Sequence, residues 1–279
     1  MFYIQENDKP TIVEKIIRKL TVERNKIIIP INETTNEKVQ EKLARKTIKL
    51  IKKSNSKKII ISKKIQNCES FIKILEKEDL KIVDGKWLYK MLIPEITDYI
   101  LEKENLKKEE TSIHILVNNE TDIAIQNIKK FSTEFKAITI ITNHIDKFKR
   151  IEEKIYNELG INITVMNNKK KGLSRAKIII NYDFPKELIN QYNINEKAII
   201  VNIQGKLKIN KKRYDGKIIQ GYEIKDNTEN EYDIENEKFY TRELYESTFY
   251  YEQPYKYVRE KIEKDKIKIK ELYLQNGSY

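Results

Sequence analysis

Three short segments hold the residues of this chain best suited to handle a ligand. Asn118 and Asn119 follow one apolar run, Asn143 and His144 follow the next, and Asn181 and Asp183 flank Tyr182 after another. Carboxamides at such positions offer donors and acceptors, a carboxylate offers an acceptor or a base, and an imidazole changes charge near neutral pH. The segment Asn167-Asn168-Lys169-Lys170-Lys171-Gly172-Leu173-Ser174-Arg175 adds four cations, Lys169, Lys170, Lys171 and Arg175, beside a glycine. That composition suits a phosphate or a nucleic-acid backbone, and in a lysine-rich chain it equally suits a solvated loop. Asp183 has two readings, a ligand-facing carboxylate or the cap of a helix opened by Pro185. No catalytic residue follows from these types alone. Cys68 stands at a predicted helix start, where the dipole can lower a thiol pKa; with no histidine nearby in sequence, the plainer reading is a half-buried structural cysteine. His114 lies inside an apolar run and reads as a hydrogen-bonded core histidine. One cysteine and two histidines allow neither an internal disulfide nor a Cys/His zinc constellation, so no metal is expected.

For these residues to meet, strands must end just before them. From residue 26 onward short β-branched runs alternate with longer amphipathic ones, the pattern of an α/β fold with mostly parallel sheets. A first α/β domain is expected over residues 1–85, with strands at 27–29, 58–62 and 80–83. A connecting helix and linker should fill 86–110, kinked or restarted at Pro94, with Trp87 largely buried at its start. Residues 111–204 carry strands at 113–117, 137–142, 161–166, 177–181 and 198–203, with helices between them and Gly160 as a helix stop. Five strands in so short a span predict a Rossmann-like, doubly wound parallel sheet, whose carboxyl edge is the ligand-binding edge. Asn118, Asn119, Asn143, His144, Asn181 and Asp183 all fall on that edge. Residues 205–279 are expected to form a Tyr-rich extension: a hairpin or an addition to the sheet edge from 206–209 and 217–224, a mobile acidic loop at 226–237, and a helix over 255–274.

Lys+Arg 55 against Asp+Glu 43 gives a net charge of +12, which favours polyanions as partners. The chain is equally rich in Ile, Asn, Glu and Tyr, all served by A/T-rich codons, so the charge is discounted as a functional signal. Nucleic-acid binding stays an alternative through the 169–175 segment and a second cluster, Lys206, Lys208, Lys211, Lys212 and Arg213 beside Tyr214. No apolar run approaches the roughly 20 residues of a membrane span. The first ten residues include Glu6 and Asp8 and do not resemble a secretory signal, so a cytoplasmic protein with no membrane partner is expected.

Residues 112–204 resemble the dinucleotide-binding half of two-domain dehydrogenases such as the shikimate dehydrogenase and glutamyl-tRNA reductase families. Thr142-Asn143-His144 sits where those families end their second strand with an Asn-Arg pair. Ser174-Arg175-Ala176-Lys177-Ile178-Ile179-Ile180-Asn181 is similar to their x-A-D-I-V-I-N fourth strand, and 198–203 to their fifth. The resemblance implies an NAD(P) cofactor, which needs a glycine turn after the first strand. No glycine occurs between Gly85 and Gly160, and Asn118-Asn119-Glu120-Thr121-Asp122 stands in that turn with two carboxylates that repel a pyrophosphate. Lys63, Lys64 and Asp84 match the Lys and Asp pair of shikimate dehydrogenase in type only, and Cys68 is the sole counterpart of the reductase's nucleophilic cysteine. The chain is therefore expected to be a degenerate relative without NAD or NADP, non-catalytic or bound to an unidentified ligand or protein partner. The alternative is an NAD(P)-dependent oxidoreductase in which Lys169, Lys170, Lys171 and Arg175 replace the glycines.

Overall fold

Tetrapeptides such as Ile178–Asn181 and Ile199–Asn202 are buried along their whole length, which only a sheet covered on both faces allows. The computed structural model describes all residues except 12–16, 55–56, 79, 211, 226–235, 250–252 and 276. It is α/β and divides into two units, one made of 1–85 with 228–251, the other of 86–227 with 252–279.

The first unit contains β1 (Phe2–Glu6), β2 (Thr21–Glu23), β3 (Lys26–Ile29), β4 (Lys58–Ile61) and β5 (Lys81–Val83). They lie in the order β2-β3-β1-β4-β5, parallel except for β2 against β3. The helix Glu37–Lys52 presents Leu43, Ala44, Ile48 and Ile51 to Ile4, Ile27, Ile29, Ile59 and Ile61. Phe71 and Leu75 of the helix Glu69–Glu76 complete that core. Strand register puts Tyr3, Ile60 and Val83 on the opposite face, where they pack with Phe239 and Leu244, the latter on the helix Thr241–Ser247.

The second unit begins with two helices, Lys86–Met91 and Ile93–Lys103. Pro94 falls in the first turn of the second, where its missing N–H leaves no bond unmade, so the stripe restarts there. Trp87 is only half-buried, short of the expected burial. The strands are β6 (Ser112–Leu116), β7 (Ala137–Ile141), β8 (Thr164–Met166), β9 (Ile178–Asn181), β10 (Ile199–Asn202), β11 (Lys217–Lys225), β12 (Lys268–Leu274) and β13 (Gly277–Ser278). Their order is β8-β7-β6-β9-β10-β11-β12-β13, and the first six are parallel. Counted in chain order those six run 3-2-1-4-5-6, the Rossmann-like doubly wound arrangement.

The tail differs from expectation in two places. Residues 206–209 form no strand and so make no hairpin with 217–224; of the two arrangements expected there, the addition to the sheet is the one formed, with β11 as the sixth parallel strand beside β10. Gly216 makes this approach possible, because a Cβ there would lie 2.1 Å from the Ala198 carbonyl oxygen. The helix expected over 255–274 is Tyr255–Lys264 alone; Lys266 turns the chain at φ 51°, and β12 then pairs antiparallel with β11. Only Lys268–Lys270 alternate polar and apolar in sequence, so the strand is settled by its pairing with β11 rather than by a local period. Of the acidic stretch at 226–237, residues 226–235 lie outside the described residues, as does Lys211. No described helix is long and apolar enough to cross a membrane.

Candidate functional site

In the 3-2-1-4-5-6 order the winding reverses between β6 and β9, which opens a crevice at their carboxyl ends. β6 runs through Val117 into Asn118 and Asn119, and β9 ends at Asn181, two residues before Asp183. The half-buried Asp183 carboxylate spans this crevice. It accepts the backbone N–H of Asn118 at 2.7 Å, the backbone N–H of Asn119 at 2.6 Å and the Asn119 side-chain amide at 2.8 Å. Successive N–H groups leading into the helix Asp122–Glu134 are the donors a doubly wound sheet ordinarily turns toward a bound phosphate. Here they hold the protein's own anion. Asp183 therefore does not cap the helix Lys186–Ile189, whose N-cap is Pro185 without a side-chain bond. Three donors from the facing loop outweigh one helix cap.

Asparagine stands at or just after the carboxyl end of every strand from β6 to β10: Asn118, Asn143, Asn167, Asn181 and Asn202. Asn118 Oδ1 accepts the Asn143 N–H at 2.8 Å and the Thr142 hydroxyl at 3.4 Å. Thr142 Oγ1 accepts the His144 N–H at 3.0 Å, and Asn143 Oδ1 accepts the Asn167 amide at 3.1 Å. The Tyr192 hydroxyl donates to Asn167 Oδ1. Asn181 is fully buried; it accepts Phe184 N–H at 2.9 Å, and its amide donates to the Phe184 carbonyl at 2.9 Å and to Asn202 Oδ1 at 2.8 Å. The Asn202 amide in turn donates to the Gly205 carbonyl at 2.7 Å. Polar groups that could receive a ligand are largely spent on one another. Asn167 and Asn202 carry no role in the sequence analysis, although an asparagine closing each successive apolar run is visible there.

The side chains of the remaining candidates stay outside this network. His144 is exposed at the N-cap of the helix Ile145–Leu159, and its ring makes no hydrogen bond among the described residues. Lys169 donates to Gln191 Oε1, while Asn168 Oδ1 accepts the N–H of Lys170 at 3.1 Å and of Lys171 at 2.9 Å, which folds the segment into a turn. Gly172 sits where a Cβ would lie 2.8 Å from the Asn168 carbonyl oxygen. Lys170, Lys171 and Arg175 are exposed, and no hydrogen bond or ion pair of their side chains ties them to Asn118, Asn119 or Asp183. Tyr214, beside the second basic cluster, donates to the Ala198 carbonyl at 2.8 Å, and burial pushes its phenol pKa up. Its hydroxyl is spent on the sheet backbone.

Four other residues weighed for chemistry, Cys68, Lys63, Lys64 and His114, are tied up in structural roles or wholly or partly buried. Cys68 is buried at the N-cap of the helix Glu69–Glu76, and burial, aided by Glu33 and Glu6, pushes its thiol up to about 11. Desolvation overrides the helix dipole, so the lowered pKa considered for it does not arise. Lys64 pairs with Asp8 at 2.7 Å and Lys63 donates to the Glu237 carbonyl at 3.0 Å. His114 is half-buried, with Nδ1 sealed from solvent and without a hydrogen-bond partner among the described residues, which departs from the hydrogen-bonded core histidine expected; burial lowers its pKa. Among the described residues no three His, Cys, Asp or Glu side chains form a metal-binding group.

No family model matches the chain, and a search of curated proteins returns no match. Solved structures give distant likenesses. The L-tryptophan dehydrogenase from Nostoc punctiforme is 10% identical with a TM-score of 0.31, over 63% of this chain and 49% of that one, about half its length. Aspartate transcarbamoylase from Trypanosoma cruzi, in complex with carbamoyl aspartate and phosphate, is 9% identical with a TM-score of 0.29, over 74% and 72%. Ornithine carbamoyltransferase from Pyrococcus furiosus is 11% identical with a TM-score of 0.25, over 67% and 60%. These are α/β folds with parallel sheets, and scores this low identify neither a family nor an activity.

Proposed function

We propose that the second unit is a dehydrogenase-type sheet whose dinucleotide crevice is closed from within, so that it acts as a non-catalytic scaffold or binds a different ligand or protein partner. The observation that carries this is the Asp183 carboxylate bound to the Asn118 and Asn119 N–H groups. A pyrophosphate would have to displace that anion and then face Glu120 and Asp122 at the same turn. Losing about 4 kcal/mol of phosphate contacts and repulsion weakens a micromolar site roughly a thousandfold. Calorimetric titration of NADH and NADPH into the full chain at moderate salt is therefore expected to give no saturable binding below millimolar concentration. Saturable micromolar binding overturns the proposal. If that binding is lost when Lys169, Lys170 and Lys171 are all changed to Ala, the basic turn has replaced the glycine loop and the chain is an atypical NAD(P) protein.

A further inference from the structure

The first unit holds a second crevice, independent of the one above. Its parallel strands run 2-1-3-4 in chain order, so the winding reverses between β1 and β4. At the carboxyl ends of β1 and β3 lies a cleft of about 550 Å³, within the range of small-molecule sites. Glu6 and Asp8 come from the end of β1, Lys64 follows β4, Ile31 follows β3, and Arg18 and Val39 close the sides.

Two of these groups have unused capacity of opposite kinds. The Glu6 side chain is 5% exposed; one carboxylate oxygen accepts the Ser62 hydroxyl, and the other, Oε1, has only Lys64 Nζ at 3.7 Å, beyond hydrogen-bond reach. Lys64 is committed to Asp8 at 2.7 Å, and Asp8 also pairs with Lys238 at 2.7 Å. An oxygen of a buried carboxylate thus lines the cleft without a donor, a state that favours an incoming N–H group. Arg18 has the converse lack. Its carbonyl is held by Lys46 Nζ at 3.2 Å and its backbone sits at φ 53°, yet its guanidinium has no hydrogen bond or ion pair among the described residues. A guanidinium fork fits a carboxylate in two-point fashion.

We infer that this cleft binds a small zwitterion of the α-amino-acid class, its ammonium donating to Glu6 Oε1 and its carboxylate received by Arg18. Val39 and Ile31 supply an apolar wall for a side chain. A phosphate monoester is disfavoured by Glu6 and Asp8, and a polyamine by Arg18. The test is a thermal-shift and calorimetric screen of the full chain against the common amino acids, with methylamine, acetate and inorganic phosphate as one-ended controls. At least one amino acid is expected to bind saturably at or below about 10 mM, more tightly than every control. Arg18→Gln, a change at a half-buried site, should weaken that binding by about tenfold or more, and Glu6→Gln likewise. Should Glu6→Gln fail to fold because Ser62 loses its partner, Arg18→Gln alone decides. The inference is overturned if no amino acid binds at that concentration, if a one-ended control binds as tightly, or if binding survives Arg18→Gln.

Discussion

Replacing Asp183 with Ala removes the acceptor of three short hydrogen bonds, two of them from consecutive backbone N–H groups. A bond to a charged acceptor contributes about 1.5–3 kcal/mol when sheltered. Asp183 is half-buried and Asn119 exposed, so water takes over much of the loss, and the three bonds share one loop and do not add. About 2 kcal/mol of local stability is the appropriate magnitude for the turn between β6 and the helix Asp122–Glu134. At about 1.4 kcal/mol per decade, the Asn118 and Asn119 amides should exchange with solvent roughly 30-fold faster in the variant. Residue-resolved hydrogen exchange reads this directly, with Ile113 and Ile115 of β6 as internal controls that should not move. Asp183→Asn keeps one acceptor oxygen and should fall between. A change of less than about threefold at both amides in Asp183→Ala would show that the internal anion does not hold this turn.

Other outcomes follow from buried groups. Asn127 is fully buried, donates to the Lys90 carbonyl at 2.9 Å and to the Tyr182 hydroxyl at 2.8 Å, and accepts the Tyr255 hydroxyl at 2.7 Å. Asn127→Ala should cost about 3 kcal/mol in urea unfolding of the second unit, since the partners are left in a dry interior. The Cys68 thiol, buried and pushed up to about 11, should not react with a thiol reagent at neutral pH until the chain is unfolded; a fast native reaction would contradict its burial. Glu104 accepts Lys217 Nζ at 2.6 Å and the Tyr279 hydroxyl, and these hold its carboxyl below the ordinary 4.5. A depressed folded pKa means the unfolded chain binds the proton more readily, so this stabilisation is complete above about pH 4.5 and is lost as pH falls through the folded value. The gap in urea midpoint between the wild type and Glu104→Gln should accordingly be full at neutral pH and close on acidification; a gap that widens in acid refutes the assignment.

Strands 113–117, 137–142, 177–181 and 198–203 are legible because isoleucine runs buried on both faces leave little alternative, and the α/β class with a doubly wound sheet follows from them. β1 escapes that pattern: only Phe2, Tyr3 and Ile4 are apolar, and Gln5 and Glu6 are buried without being hydrophobic. The pairing of 217–225 is a tertiary fact, since the same alternation fits a hairpin and a sixth parallel strand, and the choice rests on how closely Gly216 passes Ala198. The destination of Asp183 is equally non-local. Its acceptors reach donors 64 and 65 positions away, whereas a helix cap two residues on is the reading that local sequence favours. That Glu6 Oε1 is left without a hydrogen bond among the described residues depends on where Lys64 goes, which no spacing reveals.

After β11 the chain does not finish the second unit. It first supplies Phe239 and the helix Thr241–Ser247 to the first, and only then returns with the helix Tyr255–Lys264 and β12. Neither unit is thus a contiguous stretch of polypeptide. During synthesis the Tyr3, Ile60 and Val83 face of the first sheet must wait for residues some 240 positions along before it is covered, and β11 stays an open sheet edge until β12 emerges. Such long-range closure slows folding and leaves sticky surface exposed on the ribosome. A fragment cut at residue 85 or at residue 225 inherits that exposure permanently, so it is the intact chain, rather than either half, that should be produced in soluble form.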